Sequence, residues 1–441
     1  MKQSKHNIYY SPKEVRTMLE RSIDTALDGL KGYCNDPVSD FTRCRKLPAR
    51  TLIECIMSFS NYSSIGELSH FFVGQGEIPS ASALSQRRQL LDPDIFKRIN
   101  NLFVSAFDDH TTINGYHILA QDGSDVNIPF MNDKTKTEKH DAKSFCQYHV
   151  NALYDCLNKV FYDWSIDAAS KKREVNALIS ILKDRNYPQN SIFTADRGYE
   201  SYNLMAHFIE NDTKFVIRVK DIHTKSGLMT NIKTEEGAFD MRINRTLTSL
   251  QTKEIKADKE KYIFVPTTSN FDFLDENRDF YDLSFRAVRF KISEDTYETV
   301  VTNLSEEEFK TEDFKELYHY RWNEETAFNK LKYTIGLVYF HARKRKLIQQ
   351  EINAAFLMYN VSEVIIRNID LKKNKKPELE YDYKPNFSSA VTNIRLYLRK
   401  KISMKELIHR IKKFLVGQRP ERSFERNIKG QSCKPLNYRT S

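Results

Sequence analysis

The chain has 441 residues, and its 69 Lys and Arg against 59 Asp and Glu leave a formal charge of +10, a length suited to two or three domains and a balance that suits a polyanionic partner without demanding one. Apolar residues at 40% and charged residues at 29% are close to globular usage and exclude wholesale disorder. No apolar run nears the twenty or so residues of a membrane span, since even Leu52 to Phe59 is interrupted by Glu54, and MKQSKHNIYYS lacks the apolar stretch of a secretory leader, so a cytoplasmic protein without membrane contact is expected.

Residues 1–110 read as helical, with apolar residues at helical spacing in Leu52, Ile53, Ile56 and Met57 and again in Ile65, Leu68, Phe71 and Phe72. A further helix follows Ser80 or Ser82 as cap, and Arg87 and Arg88 would decorate it beside Leu84, Leu90 and Leu91. That suits a DNA-recognition domain with Arg87 and Arg88 as contacts, or equally an ordinary helical domain with exposed arginines.

From Tyr116 the texture changes to strands: HILAQ, HVNALYDCL and KVFYDWSID, then a helix through Val175, Leu178, Ile179 and Leu182, the strand SIFTA, a helix through Tyr202, Met205, Ala206 and Ile209, and the strand KFVIRV. The order βββαβαβ predicts an α/β architecture, a mixed sheet covered by helices. Between 221 and 310 the runs FDMRIN, KYIFVP, LSFRAVRFKI and TYETVVTNL predict an inserted β-rich subdomain. Helices return near Glu312 and through Ile352, Leu357 and Val361. The expected division is a helical domain 1–110, a catalytic domain 111–370 and a basic helical C-terminal region 371–441. That last region carries 19 Lys and Arg against 6 Asp and Glu, interleaved with aromatics such as Tyr397, Phe414, Phe424 and Tyr438, a composition suited to phosphate backbone or to plain solvation. The six cysteines stand ten or more residues apart without a CxxC pair, so neither a zinc knuckle nor a disulfide framework is indicated.

Three acidic positions carry chemistry. Asp122 follows Ile118 and Ala120 on an apolar strand stripe, or is the start of an Asp-Gly turn. Asp196 follows SIFTA, at a strand end where α/β sheets place functional groups, or is a helix cap. Tyr318, Arg321, Glu325 and Lys332, spaced by three, four and seven residues, fall within about a 60° arc of one helix; the plain alternative is a surface pair between Arg321 and Glu325. If Asp122, Asp196 and Glu325 converge, they form a hard oxygen set for Mg²⁺.

DGSDVNIP at Asp122, ADRGY at Asp196 and Y-x2-R-x3-E-x6-K from Tyr318 to Lys332 resemble the DDE transposases of bacterial insertion sequences, of the YREK-signature class. The resemblance covers roughly residues 110–365, and RPERSFERNIKG is similar, less specifically, to the family's C-terminal segment. It implies a ribonuclease-H-like core in which Asp122, Asp196 and Glu325 hold Mg²⁺ or Mn²⁺, as two ions, while Tyr318, Arg321 and Lys332 hold phosphates of the transposon end. It also implies a homodimer on DNA, with terminal inverted repeats and target DNA as partners and the nucleoid as working location. Members that pass through a DNA hairpin flip a base onto an aromatic, often a Trp, of the inserted β-domain. Here Trp164 and Trp322 both lie outside 221–310, so Phe264, Phe271, Phe273 or Tyr281 would serve, and Trp322 is expected in the core beside the catalytic helix. A two-metal DNA nuclease and a non-catalytic DNA-binding descendant are the alternatives.

Overall fold

The computed structural model describes residues 1–418 apart from 6–8, 44–45, 75, 109, 140–141, 170–173, 223, 225, 267, 270, 295 and 372–381. Strand β1 (Gln3–Lys5) precedes helices α1 (Pro12–Asp28), α2 (Ala49–Met57), α3 (Ser64–Phe71), α4 (Ala81–Leu90) and α5 (Asp94–Val104), and β2 (Thr111–Ile113) then pairs back on β1. Local chemistry sets the helix starts. Ser11 accepts from the Glu14 amide while the Glu14 carboxylate accepts from the Ser11 amide, a capping box with Pro12 at the first helical position. Ser80 caps α4 by accepting from Ala83 N.

The central region runs β3 (His117–Ile128), β4 (Lys136–Lys139), β5 (Ala142–Asp155), β6 (Val160–Ala168), α6 (Glu174–Asp184), β7 (Ser191–Ala195), α7 (Tyr202–Glu210) and β8 (Lys214–Val219). It is the βββαβαβ order with one short strand added. Next come β9 (Phe239–Thr248), α8 (Lys253–Ala257), β10 (Tyr262–Phe264), β11 (Phe280–Ser293) and β12 (Thr296–Thr302). These strands join one ten-stranded sheet in the order β10-β9-β11-β12-β8-β7-β3-β5-β4, with β6 also on β5. The strands of 221–310 therefore extend the central sheet, with β12 hydrogen-bonded to β8 and Val300 opposite Arg218. β3, β7 and β8 are mutually parallel and most other pairs antiparallel, so the fold is mixed α/β.

Helices cover both faces, as alternation along the strands requires. Leu119, Phe193 and Phe215 pack on one side against Leu178 of α6 and Leu204 and Phe208 of α7. Ile118, Ala120, Ile192 and Val216 face the other side and a larger helical layer. That layer includes α9 (Asp313–His319), α10 (Trp322–Lys330) and α11 (Arg345–Arg367), followed by β13 (Asp382–Pro385), α12 (Phe387–Leu398), α13 (Met404–Lys413) and β14 (Leu415–Gln418). Helix α11 is buried on nearly every side, as a helix surrounded by core must be. The apolar cluster runs unbroken from Val15 and Leu52 through Phe356 to the sheet, so the N-terminal helices are welded to the core. The segment RPERSFERNIKG lies outside the described residues.

Arg88 corrects the expectation of two outward-facing arginines on α4. It is 2% exposed and donates to Glu351 Oε1 at 2.8 Å, Leu347 O at 2.7 Å and Gln350 Oε1 at 3.2 Å, all on α11. Once α4 packs on α11, the residue four beyond Leu84 faces the same way as Leu84, and a carboxylate is there to receive it. Arg87 is half-buried, with Nε donating to Leu47 O at 3.1 Å and its guanidinium 4.2 Å from the Phe41 ring centre.

Candidate active site

Asp122 is no turn residue: β3 continues six positions beyond it, paired with β5 to Ile128 opposite Cys146. The parallel ladder between β3 and β7 ends at Ala120 opposite Thr194. Asp122 and Asp196 are each two residues past that last pair, so both stand where two parallel strands part, the position at which α/β sheets open a crevice. Asp122 Oδ1 accepts from Gly123 N at 2.8 Å. Asp196 caps the short turn Arg197–Tyr199, accepting from Gly198 N at 2.7 Å.

The third motif is carried by two helices. The single helix expected from 318 to 332 breaks at Tyr320 and Arg321 and ends in a π-turn over Leu331–Ile335. Tyr320 and Arg321 keep right-handed helical dihedrals, so Arg321 and Glu325 still share a side. Arg321 Nη1 is 3.7 Å from Asp122 Oδ2, and Nη2 is 3.3 Å from Glu325 Oε1. Lys332 lies within electrostatic reach of Asp125 and Asp122, and burial pulls its pKa down. Asp122 is pushed up to about 6, by burial first and then by the charges of Asp196 and Glu325, against the opposing pull of Gly123 N–H and Arg321. Asp122 thus feels the charge of both other carboxylates.

Several neighbours depart from the sequence reading. Tyr318, expected to hold a phosphate, is 2% exposed with its hydroxyl enclosed; it forms a wall of the site, 5.7 Å from the Arg321 guanidinium. Trp322, expected in the core, is 42% exposed and lies 5.0 Å from the same guanidinium. It lines a groove of about 500 Å³ with Phe290, Ile292 and Tyr318. Of the four aromatics named in the insertion, Tyr281 is buried and donates to Glu210 at 2.9 Å, Phe271 and Phe273 pack around it, and Phe264 is exposed.

Two further residues stand here: Glu324, which adjoins Glu325 in the sequence and is its rival as a ligand there, and His149, which the sequence reading passed over. Glu324 is fully buried beside Asp122, neither carboxyl oxygen makes a well-aligned hydrogen bond although the Asp122 amide lies near, and burial drives its pKa far up. The buried Tyr199 hydroxyl lies close by, against the Gln121 side chain and within reach of the Asp122 and Glu324 charges. His149 of β5 faces Asp125 across the ladder, and the pleat puts both on the opposite face from Asp122. Strand register was the missing signal, and one sequence does not supply it. As a donor set, three hard carboxylates fit Mg²⁺ or Mn²⁺. Among the described residues no group of three acidic, His or Cys side chains is placed to hold a metal ion, and the Arg321 guanidinium reaches both Asp122 and Glu325.

Residues 113–361, more than half of the chain, match the family described as the transposase DDE domain. The chain belongs to the DDE transposases, a family of enzymes that cut and rejoin DNA strands. The match spans β3 to α11 and so contains Asp122, Asp196 and Glu325. Among solved structures, one that matches is a cryo-EM structure of the piggyBac transposase synaptic complex with hairpin DNA, 11% identical over 96% of this chain and 90% of that one, with a TM-score of 0.45. The curated proteins contain no match. No described helix is long and apolar enough to cross a membrane.

Proposed function

We propose that this transposase is of the YREK-signature insertion-sequence class and uses Asp122, Asp196 and Glu325, on a ribonuclease-H-like core, to hold two divalent ions, Mg²⁺ or Mn²⁺. The observation that carries this is the pairing of one guanidinium, Arg321, with both Asp122 and Glu325 while Asp196 stands across the strand gap. Bound ions supply Lewis acidity at a phosphodiester. The chain's own part is positional. Asp122 and Asp196 are each held by a nearby backbone amide, Gly123 N and Gly198 N, so neither needs to reorganise, and Arg321 and Lys332 offer cationic groups to the scissile phosphate in a half-buried site. Water first cuts the strand at the element's end, leaving a 3′-hydroxyl, and that hydroxyl then attacks a target phosphodiester. Residues 1–110, with Arg87 rather than Arg88, would read the terminal inverted repeats. The region 371–441 would add DNA contact and dimerisation, so that a homodimer brings two ends together.

The test is incubation with Mg²⁺ and the DNA that flanks the reading frame, mapping 3′ ends beside Asp122→Ala. Cuts at paired repeats followed by joining to target DNA, both lost in the variant, are the result expected. Cutting without joining would make the protein a nuclease. Binding without cutting would make it a non-catalytic descendant.

A further inference from the structure

The imidazole of His149 is caught between two carboxylates directly behind the candidate catalytic strand. Nδ1 is hydrogen-bonded to Asp125 Oδ1 at 2.8 Å, and Nε2 makes an ion-pair contact of 3.0 Å with Glu174 Oε1 that is poorly aligned as a hydrogen bond. The ring is 2% exposed, whereas Asp125 and Glu174 reach the solvent edge at 34% and 32%. With a carboxylate at each nitrogen the ring is an imidazolium at neutral pH: burial opposes the charge, but Asp125 and Glu174 together raise its pKa to about 9.

Its position depends on a glycine. A Cβ on Gly123 would meet His149 Nε2 at 2.3 Å and Cε1 at 2.6 Å, so the ring occupies the space that a side chain at the residue next to Asp122 would need. Beyond the ring, Glu174 opens α6 and turns its second oxygen toward Gly198; a Cβ there would stand 3.8 Å from Glu174 Oε2 and 2.9 Å from Asp196 Oδ1. Gly198 is the residue whose amide holds Asp196. One cation therefore links β3 at Asp122, the start of α6, and the turn that carries Asp196.

Charge makes the link necessary. Five carboxylates, Asp122, Asp125, Glu174, Asp196 and Glu325, crowd this end of the sheet; Arg321 pairs with Asp122 and Glu325, and His149 with Asp125 and Glu174. Left to themselves the last two would repel each other and compete for a cation meant for the other three. We infer that His149 is a positioning residue: by clamping Asp125 to Glu174 it sets the spacing of Asp122 and Asp196 and keeps two surplus carboxylates from drawing the divalent ion out of place. This rests on the metal-site reading above, and it concerns the metal affinity of the chain as much as turnover.

The test is a titration of the DNA-free, full-length protein with Mn²⁺, following the electron paramagnetic resonance of the free ion, for wild type, His149→Gln, Glu174→Gln and Asp122→Ala, with thermal melts to show that each is folded. The expected result is that Asp122→Ala abolishes tight binding, and that His149→Gln and Glu174→Gln weaken it about 10- to 100-fold. In end cleavage the same two variants should lower kcat while KM for DNA stays near wild type, a split that a general loss of fold does not produce. If both bind Mn²⁺ like wild type while Asp122→Ala does not, the positioning role is overturned and the metal site stands. If Asp122→Ala also binds like wild type, the metal-site reading falls and takes this inference with it. Should His149→Gln fail to fold, Glu174→Gln, at the solvent edge, decides alone.

Discussion

Arg88 and Glu351 form an ion pair of 2.8 Å, with side chains 3% and 7% exposed, across the junction of α4 and α11. Burial alone would push the Glu351 carboxyl up, but Arg88 and then His341, 3.0 Å from the other oxygen, hold it down to about 2. Removing one partner of such a pair strands the other charge, at a cost of about 3–5 kcal/mol. Arg88→Met should therefore lower the denaturation midpoint sharply at pH 7. Its deficit should shrink toward pH 4, where the stranded carboxyl takes up a proton, and in Arg88→Met/Glu351→Gln at either pH. A wild-type midpoint in Arg88→Met would show that the N-terminal helices are not pinned to α11 through this pair.

The same pair shows what one sequence makes legible. Alternation in HILAQ and SIFTA and the period of Val175 to Leu182 give the strand and helix order of the central region, because those signals are local. The side of α4 on which Arg88 lies is not local: it is decided by Glu351, 263 positions away. The same holds for the strands of 221–310, whose individual patterns are clear but whose place in the central sheet depends on β12 finding β8. At the site, spacing and family resemblance picked out Asp122, Asp196 and Glu325. The break at Tyr320 was hidden because its dihedrals stay helical, His149 was hidden because register carries its meaning, and Glu324 was visible beside Glu325 but not its burial.

Asp122 carries a cost that the metal-free protein should reveal. Its pKa in the fold is about 6 against an ordinary 3.8, so between those values the native state binds more protons than the unfolded state and stability falls as pH rises through that window. Above pH 6 the penalty is complete, up to about 3 kcal/mol for a shift of some two units. Asp122→Asn has no charge to desolvate. In EDTA it should melt above wild type at pH 7 and alongside it at pH 4, and saturating Mg²⁺ should narrow the gap by stabilising wild type only. A variant that melts lower at pH 7 would mean that Asp122 is held mainly by Arg321 and not strained by burial.

Glu324 and Glu325 are neighbours with opposite surroundings, one sealed and without a well-aligned hydrogen bond, the other partly open and bonded to Arg321. A neutral amide serves a sealed site at least as well as a carboxyl does, so Glu324→Gln should cleave within a few-fold of wild type. Glu324→Met should raise metal-free stability by about 1–3 kcal/mol, the cost of an unsatisfied buried polar group. Glu325→Gln should abolish cleavage with little change in melting. The reverse pattern of cleavage would transfer the ligand role to Glu324.

The two tryptophans test the fold and the groove together. Trp164 is 1% exposed, stacked on Phe356 at 4.4 Å, with Nε1 donating to Asn353 at 2.7 Å; Trp322 is 42% exposed beside Arg321. Trp164→Ala should cost about 3–5 kcal/mol, whereas Trp322→Ala should cost less than about 1. In Trp164→Phe the remaining fluorescence comes from Trp322 alone, so acrylamide should quench it readily in the free protein. Because Trp322 shares its side of the site with Arg321, end DNA bound there should protect it from the quencher. Quenching that stays weak in the free Trp164→Phe protein would return Trp322 to the core, where its sequence neighbours first suggested it belongs.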